Sequence, residues 1–244
     1  MRNVYVQRTG NRFFSVNCFE AAVGFGQMGY KVIGFENPGE IDHSTSPIVV
    51  GGINTMRQVF GDLRIPQPDI DAPHQHLPGY LGRKVVEMSF SDVEDYSQIQ
   101  GVFPFFIKPL HDHKLFTGYV VKSKHDLLQS KLRCKSDTKL IVSECVEFIS
   151  EYRCFVLGGE LVGSKNYTGD FRVSPDYSIV ENAIRDYSAQ PAAYSIDFGV
   201  TADGRTLLIE MNDGFGLSAY GLNKIVYCKM LEARWDEITK KILI

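Results

Sequence analysis

The sequence has no apolar run near the ~20 residues that a membrane-spanning helix requires, so no such helix is expected. It has no C-x-x-C pair, and its five cysteines (Cys18, Cys134, Cys145, Cys154 and Cys228) are odd in number. A disulfide framework is therefore not expected, and a reduced, cytoplasmic protein is. Met1-Arg2-Asn3-Val4-Tyr5 turns directly into a strand-like pattern, so no secretory signal is expected. Excess charge is missing too: the net charge of -3 gives no reason to expect nucleic acid or an anionic membrane as the partner. What is present is ordinary for a globular chain of 244 residues, with 44% hydrophobic and 23% charged residues.

The order strand, helix, strand, strand, helix over Asn3 to Leu63 predicts a small parallel α/β layer. Four prolines and two histidines between Ile65 and Gly79 mark a linker or crossover. Strands are expected near 83–88, 103–109, 119–121, 140–142, 152–157, 161–164, 194–200 and 207–211. Ser91-Asp92-Val93-Glu94 and Ser123-x-x-Asp126 have the form of helix-opening caps, and a last helix should run from about Tyr227 to Lys241. The divisions expected are 1–82, 83–142 and 143–244.

The densest constellation is acidic. Asp203-Gly204 lies between two strand-like runs and predicts a two-residue hairpin turn, which places Asp197 opposite Glu210. Strand alternation puts Asn212 on the same face as Glu210, with Ile209 and Met211 on the other. Two carboxylates ~5 Å apart repel by ~3 kcal/mol at an effective dielectric of ~20. A divalent cation with oxygen ligands would cancel that repulsion, so Asp197, Glu210 and Asn212 are the candidate Mg²⁺ face. The alternatives are a solvated acidic pair, or a three-residue loop that shifts the register.

Phe103 to Pro109 is a hydrophobic strand that ends in Lys108, a point charge suited to phosphate oxygens or plain solvated punctuation. Glycine-rich 213–218 is either a contact at the rim of a site or a turn before the last helix. Gly24-x-Gly26-x-x-Gly29 follows a helix and precedes a strand, the reverse of a dinucleotide fingerprint. His74-x-His76 and His111-x-His113 have no zinc-spaced companions and read as loop histidines.

Taken in order, the lysine strand, the segment Asp112 to Gly118, Glu144, Glu151, Asp197 and Glu210-Met211-Asn212 resemble the motif series of the ATP-grasp superfamily. The match runs from about residue 83 to 215. The resemblance implies an α+β fold in which two lobes clamp ATP, preceded by a short α/β lobe. It implies that Lys108, with Lys114 in a glycine-poor loop, contacts the phosphates, and that either Arg83 or Lys84 is the first basic contact. Glu144, Cys145 and Val146 would form the adenine hinge, and Glu151 would hold the ribose. Asp197, Glu210 and Asn212 would carry Mg²⁺, and Arg153 and Lys165 would steady the γ-phosphate and transition state. The implied activity is ADP-forming ligation of a carboxylate to an amine through an acylphosphate. The alternatives are a phosphotransferase of the same fold or a non-catalytic nucleotide-binding module. The expected partners are a small-molecule, peptide or protein acceptor with a carboxylate, and an amine donor. A homodimer is left open.

Overall fold

A computed structural model describes residues 2–68, 73–111 and 115–240. Three sheets carry the chain. The first is parallel: β3 (Lys31–Phe35) and β4 (Ile48–Val50) flank β1 (Asn3–Thr9), and a short antiparallel β2 (Arg12–Phe13) folds back on β1. The crossover α1 (Val16–Gln27) starts where the Ser15 side chain accepts from the Cys18 N–H at 3.2 Å. It ends as the glycine signal predicts, with Gly29 at φ +84. Gly24 and Gly26 lie inside this helix, so the glycine pattern cradles no phosphate. α2 (Ile53–Asp62) follows β4, and the described residues of the proline-rich crossover hold the single turn α3 (Pro73–His76) and a 3-10 turn at Pro78–Tyr80.

The second sheet is antiparallel, in the order β5 (Val85–Ser89), β8 (Lys139–Ser143), β6 (Phe105–Pro109), β7 (Tyr119–Val121). Its outer face packs on α4 (Phe90–Tyr96) and α5 (Leu127–Lys131) through Phe90, Val93, Ile107, Leu127 and Leu140. The cap of α4 differs from the sequence expectation. Ser89, not Ser91, is the N-cap: its Oγ accepts from the Asp92 N–H at 3.2 Å, and the Asp92 carboxylate accepts from the Ser89 N–H at 3.1 Å. Phe90 is a core residue of this lobe, so the chain must leave the strand and turn two residues earlier. The Ser123–Asp126 cap forms as expected, on a 3-10 turn that leads into α5.

The third sheet, in the order β10 (Glu160–Gly169), β9 (Ser150–Leu157), β11 (Ala193–Val200), β12 (Thr206–Asp213), is antiparallel throughout. One face packs Cys154, Val156, Ile196, Phe198 and Leu208 on α6 (Tyr177–Asp186). On the opposite side, Phe155 and Ala193 join the core of the first lobe, while Glu151, Ile209 and Glu210 line the cleft toward the second sheet.

The last helix, α7 (Lys224–Lys240), belongs to the core of the first lobe. Tyr227, Leu231, Trp235 and Ile238 share one core with Val4, Phe25, Ile48 and Phe60. The Trp235 indole donates to the Pro47 carbonyl at 2.7 Å, and Cys228 Sγ donates to the Ala21 carbonyl at 3.3 Å. Among the described residues, no helix is long and apolar enough to cross a membrane.

Candidate active site

Asp197 does face Glu210, by a different route from the one expected. The turn is a three-residue loop closed by Thr201 and Arg205, with the Thr201 N–H donating to the Arg205 carbonyl at 3.0 Å and Gly204 at φ +85. That loop shifts the register, so that Phe198 pairs with Leu208 and Val200 with Thr206. An irregularity between Asp197 and Phe198 makes Ile209 the extra residue and restores the Asp197–Glu210 pair. The bulge also reverses the expected face of Ile209. Leu208 and Met211 are buried in the core beside α6, while Ile209 and Glu210 both line the cleft.

Between the second and third sheets lies a slot of about 310 Å³. Alternation in the second sheet supplies its apolar floor: Val85, Phe106, Val120 and Ile141 point inward, and Phe148 and Ile209 close the other side. Flat apolar walls of this kind suit an aromatic base. The polar rim is made of Arg83, Lys108, Glu144, Glu151 and Glu210, with Cys145 and Val146 beside them. Lys108 reaches the slot because its neighbour Ile107 is fully buried on the opposite face.

Of the two basic candidates at the slot's edge, Arg83 lines it and Lys84 does not. Arg83 donates to the carbonyls of Leu81 at 3.0 Å and Leu208 at 2.8 Å, which ties the crossover to the bulged strand. Lys84 contributes its backbone: its N–H donates to the Glu144 carboxylate at 2.8 Å, and its carbonyl accepts from the Glu144 N–H at 3.1 Å. The Glu151 carboxylate accepts from the Tyr167 hydroxyl at 2.7 Å. Lys114 lies outside the described residues.

The carboxylate pair already has a cation. Arg153 lies opposite Asp197 on the adjacent strand and forks onto it, Nε to Oδ1 at 3.0 Å and Nη2 to Oδ2 at 2.7 Å. The same Nη2 is 3.4 Å from Glu210 Oε1. Asp197 is fully buried, and burial pushes its carboxyl up to about 7 against the opposing pull of Arg153. For Arg153, burial lowers the pKa, but the bonds to Asp197 more than offset it. The Tyr220 ring covers the guanidinium at 4.9 Å and stacks on Tyr167 at 5.4 Å. Arg153 is thus held by a carboxylate below and a ring above. Lys165 pairs with Arg153 on the next strand and shares its face, but lines neither cavity of the cleft.

The donor set fits a hard cation at one edge. Glu210 is 36% exposed at its side chain and faces the cleft, and Asn212 donates to its Oε1 at 3.0 Å from the next position on the same face. Asp197 reaches that face only from beneath Arg153. Among the described residues, no three His, Cys, Asp or Glu side chains gather into a metal cage. Oxygens from a bound phosphate would therefore have to complete the shell, as is usual for Mg²⁺.

A family model for the ATP-grasp domain, R2K clade family 2, matches residues 80–230. The chain belongs to that family. Its fold is the ATP-grasp fold, with mixed α and β content on three sheets. A D-alanine–D-alanine ligase from Bacillus anthracis, solved with ATP, superposes with a TM-score of 0.62 at 14% identity, covering 99% of this chain and 98% of that one. The D-cycloserine synthetase DcsG gives 0.66 at 11%, covering 96% and 99%. An N5-carboxyaminoimidazole synthase from Aspergillus clavatus, in complex with ADP and 5-aminoimidazole ribonucleotide, gives 0.58 at 12%, covering 98% and 77%. No curated protein matches the sequence.

The residues that sequence reasoning missed are Tyr167, Tyr220 and Ile209. The two tyrosines belong to no motif spacing. The bulge did leave a trace, because Leu207-Leu208-Ile209 breaks the period of two.

Proposed function

We propose that the chain is an ADP-forming ligase that joins a carboxylate to an amine through an acylphosphate, with Mg-ATP held between its two central lobes. The observation that carries the reading is the slot. One cavity gathers Arg83, Lys108, Glu144, Cys145, Val146, Glu151 and Glu210 from five separate strands and loops. The adenine would lie between Phe106, Ile141 and Ile209, with its edge at the 144–146 hinge. Glu151 would accept from the ribose, and Lys108 would meet the phosphates. Glu210 and Asn212 would hold Mg²⁺, which when bound supplies charge neutralisation for the β and γ oxygens. Arg153 would act mainly by fixing Asp197 and Glu210 in place, with Lys165 beside it on the same face as the second basic residue of the site.

The chemistry needs no covalent nucleophile on the protein. A substrate carboxylate oxygen attacks the γ-phosphorus and ADP leaves. The amine then attacks the acyl carbon, phosphate leaves, and one proton is lost from nitrogen. The acceptor is a small molecule, peptide or protein that carries a carboxylate.

Calorimetric titration of ATP with and without Mg²⁺ tests the nucleotide part. Lys108→Ala is expected to weaken Mg-dependent binding by ~2 kcal/mol, the scale of a lost charge-assisted hydrogen bond. Absence of binding in both proteins would sink the reading. Product analysis tests the reaction, since ligation yields free phosphate and phosphoryl transfer to the acceptor does not.

Gly118 offers an independent check of the slot. A Cβ there would lie 2.5 Å from Phe106 Cζ and 3.0 Å from Lys108 Cβ. Gly118→Ala should therefore displace the lysine strand and weaken ATP binding about tenfold, or ~1.4 kcal/mol. Unchanged affinity in the same titration would show that Phe106 and Lys108 do not set the nucleotide contact.

A further inference from the structure

Beyond Glu210, the cleft opens into a second cavity of about 650 Å³, which shares Lys108 and Glu210 with the slot. Asn212 and Asp213 of β12, Phe215, and Ile53 and Arg57 of α2 are among its lining residues. The two charged residues on its far walls are in opposite situations. Asp213 is committed: Arg234 forks onto it at 2.8 and 2.6 Å. Arg57 is uncommitted. Among the described residues it makes no hydrogen bond or ion pair, and its Nε is buried with no acceptor.

A half-buried guanidinium with a buried donor unsatisfied is an unfavourable arrangement in a ligand-free cleft. It becomes favourable once an anion arrives. We propose that Arg57 anchors the carboxylate of the acid that this chain activates. The inference rests on the ligase reading and names the residue that selects its acid substrate.

Three observations converge on this role. The cavity adjoins the Glu210–Asn212 face, where the γ-phosphate would end, so an acid held there is within reach of the phosphorus. That acid must enter among Glu210, Asp213 and a polyphosphate, and an anion placed among anions needs a cation of its own. The planar fork of arginine matches both oxygens of a carboxylate, which orients it as well as attracting it. Ile53 and Phe215 line the same cavity, so the acid carries a short apolar body beside its charge. Arg57 also stands on the first lobe, away from the strands and loops that form the slot, so acid recognition is separable from nucleotide binding.

The test uses the full-length wild type, Arg57→Gln and Arg57→Lys. Mg·AMPPNP is titrated into each by calorimetry. The common amino acids of both hands and short dicarboxylates are then screened against the nucleotide-saturated proteins by ligand-observed NMR. Mg·AMPPNP affinity is expected to stay within about twofold in both variants. At least one acid should bind the wild type, lose tenfold or more in Arg57→Gln, and fall between the two in Arg57→Lys. Acid binding that is equal in all three proteins, or absent from the wild type, overturns the proposal. So does a tenfold loss of Mg·AMPPNP affinity in Arg57→Gln, which would place Arg57 on the γ-phosphate. Each acid that binds is finally incubated with Mg-ATP and hydroxylamine. If Arg57 controls acid binding but no hydroxamate and ADP form, the ligase reading fails and the anchor stands.

Discussion

Arg153→Leu is expected to lower the free energy of unfolding by ~3–5 kcal/mol at pH 8, as when one partner of a buried ion pair is removed. The side chains of Arg153 and Asp197 are 9% and 1% exposed, so solvent cannot replace the lost cation. The deficit should depend on pH with a definite sign. Burial raises the folded carboxyl of Asp197 to about 7, well above its unfolded range. Its proton therefore stabilises the fold fully below the unfolded value, and that contribution is lost as pH rises through about 7. At pH 5 Asp197 accepts a proton in either protein, and the loss of Arg153 costs less than at pH 8. Urea unfolding of the metal-free proteins at the two pH values measures both effects. The double change Arg153→Leu with Asp197→Leu should recover most of the lost stability, because no charge is then left buried. A deficit that is the same at both pH values, or not relieved by the second change, would mean that packing rather than charge is being measured.

The largest effect on turnover is expected at Glu210. Among the described residues, this carboxylate alone lines both cavities; it is partly open to solvent and sits beside a neutral oxygen donor. Glu210→Gln preserves the shape and removes the charge. Loss of several kcal/mol of metal-assisted charge stabilisation would lower Mg-dependent ADP formation ~10³-fold, or ~4 kcal/mol at 1.36 kcal/mol per decade. Raising Mg²⁺ should recover part of the rate, since the metal is bound more weakly rather than excluded. Asn212→Ala removes a neutral donor and should cost less. Single-turnover rates of ADP release against Mg²⁺ concentration separate the two. A Glu210→Gln enzyme with wild-type turnover would remove the metal from this face of the sheet.

Much of this arrangement was legible because strand geometry is rigid. Once Lys108 and Ile107 are adjacent on a strand, one of them must point into the cleft if the other is core. Once Glu210 and Asn212 are two apart, they share a face. What was not legible depended on chain contacts that no spacing encodes. Asp203-Gly204 serves a two-residue turn and a three-residue turn alike, and the choice was made by Thr201, whose hydroxyl accepts from the Arg205 N–H. The bulge at Ile209 then reset the register, so the expected carboxylate pair stands on a mistaken turn. The γ-phosphate role of Arg153 rests on the resemblance alone, and its fork onto Asp197, 44 residues away on the adjacent strand, follows from no motif spacing. The cap at Ser89 was misplaced because packing of Phe90 outranks local capping preference.

The C-terminal helix seated in the first lobe bears on how the chain can acquire its structure. β1, α1 and β4 are made first, yet Phe25, Ile48 and Phe60 find part of their cover only in Tyr227, Leu231 and Trp235. Arg2 is tied to Asp236 at 2.6 Å, and the Tyr30 hydroxyl donates to Glu232 at 2.6 Å, across some two hundred residues of sequence. A ribosome that has released only the first eighty residues has therefore released an apolar surface with part of its cover still to come. Contacts so distant in sequence form late and slowly. Until residues 224–240 are made, that apolar surface keeps part of its area uncovered. Once α7 has docked, residues 2–62 and 224–240 share one core, so they should come apart together.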